Sequence, residues 1–210
     1  MPMYTKTLPP KTAKLLHLFT QKKPDFLSSF YLSGGTALSL QLGHRESEDL
    51  DLFSREPFVP DVVEQQLHPF GTLSETELAK GTVNTYLDGV KLQFLEYPYR
   101  LLEPLVVWEG INLSSVIDIA CTKLQTVGMR GSKKDFIDLY FLLQQYTLKN
   151  LLDYTKKKYA ESDYSETHIL KSLVYFDDAD AQPMPRMHKD VSWKQVKDSI
   201  IEAVKTTPII

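Results

Sequence analysis

Two aspartates, Asp49 and Asp51, stand one residue apart in the run Asp49-Leu50-Asp51-Leu52-Phe53. Strand side chains alternate between faces, so both carboxylates point one way while Leu50 and Leu52 point the other. Neighbouring carboxylates repel unless a cation sits between them. A hard divalent ion such as Mg²⁺ or Mn²⁺ takes oxygen ligands from one or two carboxylates and shares the rest with phosphates. Such ions activate an attacking oxygen and steady a leaving pyrophosphate. Upstream lies Ser33-Gly34-Gly35-Thr36. Glycines let the backbone approach a phosphate closely, the start of a following helix offers unpaired N–H groups to an anion, and Ser33 or Thr36 adds a hydroxyl donor. The chemistry that fits is metal-assisted handling of a nucleoside triphosphate. Asp49 and Asp51 are the metal ligands and catalytic carboxylates, and Ser33, Gly34, Gly35 and Thr36 hold the phosphates. For His44 and Arg45 two roles stay open, bordering the triphosphate or serving an ordinary loop.

The elements that must position these groups are legible around them. Phe30-Tyr31-Leu32 is a short apolar run suited to a buried strand, and Thr36 to Leu42 has a helical pattern. Asp49 to Phe53 is the second strand. The unit is therefore strand, Gly-Gly turn, helix, strand. Before it, a helix is predicted over about Lys11 to Gln21, with a break at Pro24. After it, Pro57 and Pro60 bracket a turn before a short helix that closes at Pro69 and Gly71. Thr82 to Leu87 alternates, Asp88-Gly89 is a hairpin signal, and Val90 to Leu95 is the returning strand.

The stretch SGGTALSLQLGHRESEDLDLF resembles the nucleotidyltransferase superfamily that includes DNA polymerase β, whose signature is Gly-Gly or Gly-Ser followed by Asp-x-Asp. Within it, this stretch and a second one, DIACTKLQTVGMRGSKKDFIDLYFLL from Asp118 to Leu143, are similar to the AbiEii/AbiGii toxin family. The resemblance implies an α+β fold: a polymerase β-like core with a small mixed sheet over residues 1–110, and a mostly helical C-terminal lobe over 111–210. It implies that the nucleotide lies in the cleft between them. It also implies a toxin of a toxin–antitoxin or phage-defence system, a DNA-binding antitoxin encoded alongside, and transfer of NMP from an NTP to an acceptor hydroxyl, with the tRNA 3′ end or another RNA as acceptor. The superfamily often places a third carboxylate on a neighbouring strand. Here Gln93 occupies that place, and Glu96 lies just beyond it.

The second stretch carries its own constellation. Lys123 and Arg130 are the cations expected to balance charge that builds on phosphate oxygens. The resemblance carries the family's lysine onto Lys123, its arginine onto Arg130 and its basic-Asp pair onto Lys134-Asp135, with Asp138 the following aspartate. Asp135 is then expected to orient a base or an acceptor, and Asp138 to orient Lys134. From spacing alone, a helix pair with caps and surface ion pairs accounts for the same residues. Lys156-Lys157-Lys158 reads as a solvated basic face or a contact for a nucleic-acid backbone, and Asp177 to Asp190 as a loop before a final helix from Trp193.

Composition sets the outer bounds. The 210 residues are 42% hydrophobic and 24% charged, as in an ordinary globular protein, and the net charge of -3 does not mark a nucleic-acid binder by itself. No apolar run approaches a membrane span, and MPMYTKTLPPKT lacks the apolar core of a signal peptide. One cysteine, Cys121, excludes an internal disulfide, so a cytoplasmic setting and a buried structural thiol are expected. The histidines show no ligand spacing for zinc. Two other readings stay open: a nucleotidyltransferase acting on a small molecule or a protein, and a non-catalytic nucleotide-binding module.

Overall fold

The strand that carries Asp51, β2 (Leu50–Ser54), is the middle strand of a seven-stranded mixed sheet in the computed structural model, which describes residues 3–162 and 165–207. The other strands are β1 (Tyr31–Ser33), β3 (Leu73–Ala79), β4 (Thr82–Leu87), β5 (Val90–Glu96), β6 (Val106–Trp108) and β7 (Ile111–Leu113). Their order is β3-β4-β5-β2-β1-β7-β6. β2 pairs antiparallel with β1 and parallel with β5, and β1 pairs parallel with β7. This sheet belongs to the first of two units, which runs to Arg100 and adds Pro104–Ser115.

Three helices accompany the sheet: α1 (Pro10–Lys22), α2 (Gly34–Leu42) and α3 (Pro60–Leu67). α1 and α3 each place a proline in the first turn, where the missing N–H costs nothing. α1 stops at Lys23, whose φ of 45° is left-handed and whose N–H closes on Phe19 O, and Pro24 prevents continuation. α1 packs on β5 and α3 on β4. The sheet face beneath them is apolar: Val83, Leu87, Leu92 and Phe94 are fully buried. Phe94 meets Phe30 edge to face at 5.0 Å, and Phe30 meets Phe58 at 5.1 Å, an arrangement that adds a little to plain burial. On β4 and β5 the opposite face carries Asn84, Tyr86, Lys91 and Gln93, all partly or fully exposed.

Among the described residues, two of the three hairpins, β4–β5 and β6–β7, turn on an acid-glycine pair. Asp88 (φ 50°) and Gly89 (φ 80°) join β4 to β5, and Glu109 (φ 49°) and Gly110 (φ 88°) join β6 to β7. Positive φ at both positions matches the twist of the flanking strands. The β6–β7 hairpin escapes a pattern reading, because three-residue strands are too short to display alternation.

The second unit takes Leu101–Glu103 and continues from Val116. It holds α4 (Val116–Met129), α5 (Lys133–Leu143), α6 (Leu148–Lys158), α7 (Glu166–Ser172), α8 (Asp177–Asp180) and α9 (Trp193–Thr206). Ser132, Thr147 and Ser192 cap α5, α6 and α9 through their side-chain oxygens, and Gln195 completes a capping box with Ser192. Leu124, Phe136, Leu151, Val196 and Ile200 form the core, with Phe136 against Phe176 at 4.9 Å. The segment expected to be a loop, Asp177 to Asp190, contains α8.

The lysine run of α6 is not uniformly solvated. Lys156 and Lys157 are exposed, but Lys158 is buried with its Nζ 2.7 Å from Asp118 Oδ1. Asp118 also accepts the Leu102 and Glu103 N–H groups at 3.0 and 3.2 Å, so its charge is met on three sides. Helical spacing explains the difference: Leu151, Thr155 and Lys158 share the buried stripe of α6. Among the described residues, no helix is long and apolar enough to cross a membrane.

Candidate functional site

The site begins where β1 ends. The chain leaves Ser33 and enters α2 through Gly34, whose φ of +64° is closed to most side chains. The β1–β2 register sets Ser33 opposite Asp51. That brings the Asp51 carboxyl against Gly34, with Cγ 2.9 Å from the place a Cβ would take. Glycine is needed here twice, for its backbone angle and for the space the carboxylate fills. The Ser33 side chain does not cap α2, and the partial positive charge of the first N–H groups of the helix lies beside Asp51.

The next three predicted residues are bound into the frame of this turn. Arg45 is 2% exposed and lies behind Gly35, its Nη2 2.6 Å from where a Cβ would stand. Its Nη1 donates to Glu46 O at 2.9 Å. The guanidinium thus adds buried positive charge behind the helix start instead of reaching into solvent. Thr36 is fully buried; its hydroxyl donates to the Asp49 carbonyl and lies 3.0 Å from Ser47 Oγ. It fixes the segment that carries Asp49. Ser33 is also buried, and its Oγ accepts from Ser114 Oγ at 2.9 Å. His44 is buried as well.

Asp49 immediately precedes β2, and both Asp49 and Asp51 are partly exposed. Across the sheet, Asp51 pairs with Gln93, and Gln93 pairs with Asn84. The Gln93 Nε2 donates to Asn84 Oδ1 at 2.9 Å, which leaves its amide oxygen for other partners. A neutral carboxamide therefore stands in the row where a third carboxylate was sought. Glu96 does not join: it pairs with Ser54, three residues beyond Asp51, and its carboxylate rests on Gly81. Among the described residues no group of three acidic, histidine or cysteine side chains could hold a metal. Two carboxylates and a carboxamide oxygen still suit a hard divalent cation that completes its shell with phosphate oxygens.

The second unit gathers its own polar cluster. Lys123 Nζ lies 2.7 Å from both Asp135 Oδ1 and Asp138 Oδ2, and all three side chains are at least nine-tenths buried. Ser132 Oγ donates to the second oxygen of Asp135 at 2.6 Å. Burial alone would push the Asp135 carboxyl up, but the Lys123 charge and the two hydrogen bonds outweigh it and hold the group below its ordinary value. Asp138 thus serves Lys123, not Lys134 as expected from sequence. Positions 135 and 138 share the inward face of α5, whereas Lys134 points to solvent. Arg130, just past the end of α4, is exposed too. The structure therefore joins Lys123 with Asp135 and leaves Arg130 and Lys134 as surface cations.

Residues 18–208 match the family described as Nucleotidyl transferase AbiEii toxin, Type IV TA system. The chain belongs to the AbiEii nucleotidyltransferase toxin family. An uncharacterised protein of Aquifex aeolicus (strain VF5) is 39% identical over 186 residues, 85% of this chain and 87% of its own. Among solved structures, a candidate nucleotidyltransferase from H. pylori superposes with a TM-score of 0.57 at 16% identity, covering 94% of each chain. JHP933 from Helicobacter pylori gives 0.53 at 17% identity over 93% of this chain and 89% of its own. MenT4, a nucleotidyltransferase toxin of Mycobacterium tuberculosis H37Rv, gives 0.51 at 12% identity over 95% and 87%.

The AbiEii chain thus has the α+β nucleotidyltransferase fold and is a nucleotidyltransferase. Its Gly34–Asp51 contact, its Arg45 behind Gly35 and its Lys123–Asp135–Asp138 cluster all fall within the matched residues. Sequence reasoning set Gln93 in the place of the third ligand but missed Asn84, which extends that polar row. The alternation of β4 and β5 carried the signal, but the parallel pairing of β5 with β2 had to be known to join it to the acid pair.

Proposed function

We propose that this AbiEii-family chain transfers a nucleoside monophosphate from an NTP to the 3′-hydroxyl of tRNA. The observation that carries the reading is the Asp51 carboxylate set against Gly34 at the head of α2. One place then offers both an anion-binding turn and a cation-binding acid. The acceptor oxygen attacks the α-phosphorus, a new P–O bond forms, and the bond to the bridging oxygen breaks. Pyrophosphate leaves with the electron pair, and the hydroxyl proton passes to water.

The chain's residues divide the work. The N–H groups of Gly35 and Thr36 hold the β- and γ-phosphates, with Gly34 giving them room and the buried charge of Arg45 behind the turn adding to the pull on an anion. Asp49 and Asp51 would hold Mg²⁺ or Mn²⁺, which when bound polarises phosphate oxygens and lowers the cost of developing charge. Thr36 keeps Asp49 in place through its carbonyl. In the second unit, Arg130 and Lys134 are exposed cations of the kind that neutralise phosphate, and Lys123 keeps Asp135 ionised.

The biological reading is growth arrest: a cytoplasmic toxin acting on tRNA and held in check by a DNA-binding antitoxin encoded alongside. The toxin description of its family and the wide reach of the family match support it. Incubation with each labelled NTP, Mg²⁺ and total tRNA tests it. Label is expected at the tRNA 3′ end and is expected to vanish with EDTA. Label that survives nuclease would assign the transfer to a small molecule or a protein instead.

A further inference from the structure

A polar pocket of about 410 Å³ opens beside Asp49. Its walls come from the first turn of α1 and from the β4–β5 hairpin, and include Lys11, Glu48, Asp49, Tyr86 and Lys91. β2 and β5 begin their pairing at Leu50 and Leu92, and one step back, just before β2, Asp49 and Lys91 line the pocket together. Lys91 in turn pairs with Tyr86. Asp49, Lys91 and Tyr86 thus form a second row across the open sheet face, next to the row of Asp51, Gln93 and Asn84. Lys11 and Lys91 are exposed, and among the described residues neither is in an ion pair. Tyr86 is half-exposed and meets no other aromatic ring among them.

The direction of the reaction decides what this pocket is for. Phosphoryl transfer needs the attacking and leaving oxygens in line, on opposite sides of the phosphorus. Sheet order puts β1 on one flank of β2 and β5 on the other. The phosphate-holding turn at Gly34 follows β1, so pyrophosphate leaves on that flank. The acceptor must then arrive over β5, where the pocket is.

We propose that this pocket receives the acceptor, the 3′-terminal nucleotide of a single-stranded polynucleotide, a site that rests on the reading of Asp49 and Asp51 as the transfer centre. The terminal base stacks on Tyr86, the adjoining phosphate lies between Lys11 and Lys91, and the 3′-hydroxyl is left at Asp49. An aromatic ring and two unpaired lysines on an open sheet face are the ingredients of single-strand recognition. A protein side chain would have no use for the stacking face.

The test is fluorescence anisotropy with 5′-fluorescein oligonucleotides of RNA and of DNA, each with a free 3′-hydroxyl, without NTP. Lys91→Glu and Lys11→Glu are expected to weaken binding about tenfold each and to flatten its salt dependence. Tyr86→Ala is expected to weaken it about tenfold while Tyr86→Phe, which keeps the ring, does not. In steady state the KM for the acceptor should rise while the KM for NTP stays. Oligonucleotide binding indifferent to all of these changes would overturn the proposal, and so would a rise in the NTP KM alone. Because anisotropy needs no turnover, the two readings fail separately. A chain that binds through Lys91 and Tyr86 yet transfers nothing loses the transfer reading. One that transfers normally in every variant loses the pocket.

Discussion

Gly34 and Asp51 share one space: the carboxyl carbon of Asp51 sits 2.9 Å from where any Cβ on residue 34 would stand. The two are held there by the Ser33–Asp51 register, so the Gly-Gly turn and the acid are a single fitted part.

Gly34→Ala should therefore cost more than backbone strain. The left-handed φ accounts for about 1–2 kcal/mol of stability. Displacement of the carboxylate should lower transfer by about a hundredfold or more, as misplacement by about an ångström can. Gly43→Ala is the control: it has φ +65° and crowds Tyr4, away from the acid pair. It should lose stability while keeping its rate per folded molecule. Thermal unfolding and labelled-NTP transfer on both variants separate the two effects.

The Lys123 cluster predicts a pH signature. Lys123→Met leaves Asp135 and Asp138 buried without their cation, a loss of about 3–5 kcal/mol near pH 7. The Asp135 pKa is depressed, so its contribution is present above the ordinary value of 3.8 and is lost as pH falls through the lower folded value. Urea midpoints of wild type and variant should therefore converge in acid, as the pH falls through that lower folded value.

Lys158 makes a similar pair for a different purpose. It and Asp118 are each 2% exposed at 2.7 Å, and the pair anchors the N–H groups of residues 102–103. Lys158→Met should lower the melting temperature, with the rate per folded molecule unchanged in the same transfer assay.

Cys121 should be silent in the native protein. Burial pushes its thiol up to about 11, against the smaller opposing pull of the Thr155 hydrogen bond and Lys158. At about pH 8 almost no thiolate forms. Iodoacetamide should label the single cysteine only after unfolding in urea, read by intact mass.

What could be read in the chain and what could not divide along physical lines. Asp49, Asp51, Gly34 and Gly35 are local: their roles depend on alternation within one strand and on one turn. The partners that decide how they work are distant. Nothing near Arg45 in sequence says that it stands behind Gly35, nor that Thr36 holds the Asp49 carbonyl. Gln93 was found in the right row, but only β5 pairing with β2 ties it to Asp51. Asp138 was assigned to its helix neighbour Lys134, and Lys158 to a solvated run, because spacing cannot tell which face of a helix is covered. The β6–β7 hairpin was invisible for lack of length.

The central claim is that the acid pair at Gly34 catalyses addition of nucleotides to RNA. Its most direct test is intact-mass and sequencing analysis of RNA from cells expressing wild type beside cells expressing Asp51→Ala, with the variant verified as folded. The account predicts tRNA extended at its 3′ end in the first culture and unaltered tRNA in the second. Identical RNA in both cultures would contradict it.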